Sequence, residues 1–76
     1  MEKRGITEQT VYDSIKNNDG AYVEQVAKET TLSRAMVENA FSFLKGEGSI
    51  YLFDTFGNTK VYKVIKKWKY KATKHK

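Results

Sequence analysis

Arg34, Asn39 and Ser42 place a guanidinium, a carboxamide and a hydroxyl close together in the chain. These groups hydrogen-bond in defined geometries and suit reading a polar surface better than breaking bonds. Support for catalysis is thin. The sequence has no cysteine and a single histidine, His75, next to the last residue. No carboxylates pair in an evident pocket, and Gly46-x-Gly48 lacks the spacing and the following Lys-Ser/Thr of a phosphate loop. The sequence therefore predicts no enzyme, no catalytic residue, no metal site, no cofactor and no small-molecule substrate.

The chemistry open to these residues is that of base edges and phosphates. Arg34 suits guanine or phosphate, Asn39 has the amide geometry to pair with adenine, and Ser42 can reach a phosphate. Ala35 can meet a thymine methyl. Glu38 is discordant: it repels phosphate, although a carboxylate can accept from the cytosine amino group. The same residues, with Lys45, can also be read as an ordinary solvated face.

Charge is distributed unevenly. Residues 1–59 hold six Lys/Arg against nine Asp/Glu, whereas residues 60–76 hold eight lysines and no acid. Lys60, Lys63, Lys66, Lys67 and Lys69 open this basic stretch. A lysine arm suits a polyanion, because phosphate contacts dominate nucleic-acid affinity. The competing reading is a tail that only aids solubility.

The elements that must position these residues follow from periodicity. A first helix is expected from Thr7, as N-cap, to Asn18, with Val11 and Ile15 on one face and Gly20 as a left-handed stop. Ala21-Tyr22-Val23 reads as a short extended connection, followed by a second helix over Val23–Thr30. Ser33 reads as the N-cap of a third helix reaching about Lys45. Its Val37, Ala40, Phe41 and Leu44 form an amphipathic stripe, so Arg34, Ala35, Glu38, Asn39 and Ser42 are left outward. After Gly48 the period changes to 2. Strands are expected over 49–55 and 60–65 around a Gly57-Asn58 turn. That turn predicts the pairs Ile50–Ile65, Leu52–Lys63 and Phe53–Tyr62.

The fold class is thus α+β: three helices, then a two-stranded β-hairpin and a basic C-terminal tail. Domain limits are set at 1–66, with an arm over 67–76. Nothing resembles a transmembrane span or secretory signal, which predicts an intracellular, cytoplasmic protein.

The run Val23-x-x-Val26-Ala27 through Leu32-Ser33, Val37, Ala40-Phe41 and Leu44 to Gly48-x-Ile50 resembles the winged helix-turn-helix transcription regulators. The multiple-antibiotic-resistance-regulator type and small archaeal, bacterial or viral repressors are the nearest in pattern. Physically, Ala27 is small where two helices approach, and Leu32 plugs the turn. The resemblance implies a regulator bound to double-stranded DNA, associated with a nucleoid or viral genome. Residues 33–45, with Ser33 at the start, would lie in the major groove. Asn58, Thr59, Lys60 and Lys63 would reach backbone or minor groove from the wing, and Lys66, Lys67 and Lys69 would follow the backbone. Z-form-binding domains share this outline, but Asn39 is one position out of register with theirs, Ser42 stands in place of their tyrosine, and there is no proline.

Tyr51, Phe53 and Tyr62 are expected on one hairpin face, either folded over the helices or forming, with Trp68, the surface of a homodimer. Tyr12, Tyr22 and Phe43 are further candidates. Two alternative functions remain open at this point: a winged-helix protein–protein docking module, which the acidic body favours, and a non-specific DNA-coating protein.

Overall fold

The computed structural model describes residues 5–65. Three helices come first: α1 (Ile6–Asn17), α2 (Val23–Thr30) and α3 (Arg34–Gly46). An antiparallel hairpin follows, β1 (Ile50–Phe56) and β2 (Thr59–Val64). This is a winged helix, as the periodicity indicated.

Each helix buries one stripe. Val11 and Ile15 of α1, Val26 of α2, and Val37, Ala40, Phe41 and Leu44 of α3 meet Ala21, Ile50 and Tyr62 in one core. Full burial of an aliphatic side chain is worth about 1.5–3 kcal/mol, so this small cluster carries most of the apolar stabilisation. Leu32 and Ala27 pack against it, as does Phe43. The α1–α2 contact is also polar. Ser14 Oγ donates to Glu29 Oε1 at 2.9 Å, and Asn18 Nδ2 donates to both Glu29 carboxylate oxygens at 3.0 and 3.2 Å.

Helix boundaries follow local chemistry, with two corrections. Ser33 caps α3 by accepting from the Met36 N–H. Thr7, by contrast, lies inside α1: the N-cap is Gly5, which has no side-chain cap bond. At the other end of α1 the left-handed residue is Asp19, and Gly20 follows at φ +119°. Thr31, also left-handed, turns the chain from α2 towards α3.

The hairpin turns at Gly57-Asn58 as expected, with Gly57 at φ +64°. Register agrees near the tip, where Thr55 faces Lys60 and Phe56 faces Thr59. It slips by one at a bulge between Leu52 and Asp54. The pairs below the bulge are Ile50–Val64, Tyr51–Lys63 and Leu52–Tyr62, not those predicted from the turn. An extra residue in one strand switches the facing of everything beyond it. Tyr62 therefore joins Ile50 on the core side, 8% exposed. It is a core residue and not part of a surface with Tyr51 and Phe53.

Ala21 adds a further short pairing. It exchanges backbone hydrogen bonds with Tyr62 at 3.0 and 2.9 Å. β2 is consequently flanked by β1 on one side and by Ala21 on the other, which ties the wing to the α1–α2 connection.

Candidate nucleic-acid interface

The outward side of α3 is open. Arg34, Ala35, Glu38, Asn39, Ser42 and Lys45 are all exposed, while Val37, Ala40, Phe41 and Leu44 hold the opposite side down. The wing stands beside α3 because Phe41 and Tyr62 meet edge to face, with ring centroids 5.4 Å apart at 83°. Such a pair adds about 0.5–1.5 kcal/mol beyond its buried area. Lys45 leans over the same ring, its Nζ 5.5 Å from the Tyr62 centroid and donating to Tyr62 Oη at 3.5 Å.

Between helix and wing runs a groove of about 390 Å³. Arg34, Glu38, Ser42 and Lys45 line it from α3, and Asn58, Thr59 and Lys60 from the wing. Seven of the sequence-predicted residues are thus brought together. Ser33 is spent on its cap. Ala35 and Asn39 are exposed on α3 but do not line this groove. Lys63 lies on the other side of the wing, opposite Tyr51, with its Nζ 3.7 Å from Asp19 Oδ1. Lys66, Lys67, Trp68 and Lys69 lie outside the described residues.

The electrostatics of the groove are more balanced than the lysine count suggested. Arg34 Nη1 donates to Glu24 Oε2 at 2.8 Å, and Arg34 Nε donates to Glu38 Oε2 at 3.0 Å. The guanidinium is raised above its ordinary pKa, first by the hydrogen bond to Glu38 and next by the charge of Glu24. Exposed pairs of this kind add little stability. Their consequence is occupancy: the cation best suited to a base edge already has two carboxylates. Lys45 and Lys60 have no carboxylate partner among the ion pairs of the described residues.

Sequence reasoning missed Glu24, which reaches Arg34 only because the turn at Thr31 folds α2 against α3. The Arg34–Glu38 pair was legible, since residues four apart on a helix are neighbours. Tyr22 and Phe41 also line the groove, from the connection before α2 and from the rim of the core.

Among the described residues no three His, Cys, Asp or Glu side chains group as a metal site, and no helix is long and apolar enough to cross a membrane.

Comparisons with known proteins place this architecture in context. The family described as replication protein A C terminal matches residues 2–53. Among solved structures, the chain is similar to the Zalpha domain from Carassius auratus PKZ, determined in complex with Z-DNA. The TM-score is 0.68 at 17% identity, covering 78% of this chain and 92% of that one. At that identity the likeness speaks for the fold. A search of curated proteins finds no match.

Proposed function

Starting from the chain's membership of the replication protein A C-terminal family, to which it belongs over residues 2–53, we propose that it is a DNA-binding winged-helix module that lays the outward face of α3 in the major groove of duplex DNA, with a phosphate backbone along the groove between α3 and the wing. The observation that carries this reading is the groove's shared lining. Ser42 and Lys45 from α3, and Asn58, Thr59 and Lys60 from the wing, offer phosphate-directed donors on two walls of one channel. Phosphate contacts set position, and base contacts set sequence. Lys45 and Lys60 supply the first kind. Asn39 supplies the second, and Arg34 can supply either once it has left Glu24 and Glu38. Sequence-specific regulation of transcription is the role that fits such a face. The lysines of residues 66–76 add sequence-independent attraction.

One observation favours a second reading. Glu24 and Glu38 stand on the face that would meet phosphate, and they suit a basic protein segment. In that case the domain is a docking module.

Selection from random duplex DNA, repeated with Arg34→Ala and Asn39→Ala, separates these readings. A preferred site that loses definition at one or two base pairs supports direct readout. Salt-sensitive binding with no preferred site supports a DNA-coating role. No duplex binding at moderate salt by a folded chain, with a Z-form duplex included in the panel, refutes the DNA reading and favours docking.

A further inference from the structure

The side of the wing turned away from α3 gathers three aromatic rings that the core does not use. Tyr51, Phe53 and Phe56 are 42%, 51% and 61% exposed. Tyr51 pairs with Lys63 across the hairpin, and the bulged Phe53 lies beneath the same lysine, so the two rings share one face. Phe56 joins them because of the bulge. Strict alternation from Ile50 would place it on the core side, but the extra residue pairs Asp54 with Val61 and Phe56 with Thr59, in step with Tyr51 and Lys63. Without the slip, the third ring would point to the opposite face.

Cations border these rings. Lys63 faces Tyr51 across the hairpin, and its Nζ lies 4.2 Å from the Phe53 centroid. Lys16 at the end of α1 shares a cleft of about 260 Å³ with Tyr51, Lys63, Asp19 and Val64. Planar rings flanked by ammonium groups match a ligand with planar apolar faces and a polyanionic backbone.

We propose that this outer wing face is a stacking platform for unpaired bases of a single-stranded nucleic acid. Tyr51, Phe53 and Phe56 carry the bases, and Lys63 and Lys16 meet the phosphates. A duplex hides its base faces in its own stack, so a platform of rings selects single strands. The Lys63 ammonium now over Phe53 is the tip of a flexible chain. A base entering there displaces it sideways, within reach of the flanking phosphate. A second copy of the chain is the poorer occupant. Seven residues at about 3.3 Å each, on two strands about 5 Å apart, present a face of roughly 230 Å², well short of the ~800 Å² per partner of a stable interface.

The site is separate from the α3 groove, and the experiment reads the two independently. Anisotropy titrations of the full chain use a labelled oligo(dT) and a labelled mixed-sequence duplex. Tyr51→Ala with Phe53→Ala is expected to weaken oligo(dT) about tenfold or more while leaving duplex affinity within about twofold. Tyr51→Phe with Phe53→Tyr keeps both rings and retains binding. Tyr51→Leu with Phe53→Leu keeps bulk but loses it. Lys45→Ala with Lys60→Ala does the converse, weakening duplex more than oligo(dT). Circular-dichroism melts confirm that each variant folds, and sedimentation reports self-association. Absence of oligo(dT) binding by the wild type overturns the proposal. So does unchanged affinity in the alanine pair, equal loss on both DNA forms, or a dimer-to-monomer change as its sole effect. Oligo(dT) binding without duplex binding sinks the groove reading and leaves this one standing.

Discussion

Replacing Glu24 and Glu38 together by glutamine tests whether the Arg34 guanidinium, once freed of its carboxylates, reaches a phosphate. Arg34 bonds to both carboxylates, at 2.8 and 3.0 Å, with all three side chains more than half exposed. In the double variant the guanidinium keeps its position and loses its counter-charges. One additional phosphate contact steepens the dependence of log K on log[salt] by about 0.9. Between 50 and 200 mM salt, a fourfold change, the affinity gain should therefore shrink by about 3.5-fold. Removing two carboxylates from the groove raises duplex affinity at every salt as well. The assay is anisotropy on a labelled duplex across a salt series. Adding Arg34→Ala to the double variant should return the slope to the wild-type value, whereas Arg34→Ala alone should barely move it. Parallel salt lines for wild type and Glu24→Gln/Glu38→Gln would refute the reasoning, as would a steep slope that survives Arg34→Ala.

Three further outcomes are expected. Lys45→Ala with Lys60→Ala should flatten the duplex salt slope by about 1.8, two contacts at about 0.9 each, in the same titration. Glu29→Ala leaves the Ser14 hydroxyl, 7% exposed, without its acceptor and should cost about 1–3 kcal/mol, seen in chemical denaturation. Gly20→Ala forces a side chain into φ +119° with its Cβ 3.3 Å from Lys63 Cγ and Cε. Strain of this kind costs about 1–3 kcal/mol, read as a lowered melting temperature, at about 4–8 °C per kcal/mol for a domain this small.

The family match bears on the regulator expectation. The winged helix stands, but the family shown is the replication protein A C-terminal one, not the multiple-antibiotic-resistance-regulator type that the residue pattern resembles. Both readings rest on the same three helices, since the family match ends at residue 53, inside β1. Apolar spacing of the Val26, Leu32, Val37 and Leu44 kind encodes the packing of a fold that many functions share.

What could be read from the residues alone was whatever a local rule decides. Ser33 caps α3, Val37 to Leu44 define its buried stripe, and Gly57-Asn58 makes the turn, each within about one helical turn or one hairpin of its cause. Tertiary structure decided the rest. The bulge beside Phe53 sent Tyr62 into the core and brought Phe56 round to Tyr51. Ala21 closed on Tyr62 across some forty residues of chain. Glu24 met Arg34 because two helices folded against each other. Those outcomes depend on contacts between distant segments, and hydrophobic periodicity carries no record of which distant segments will meet.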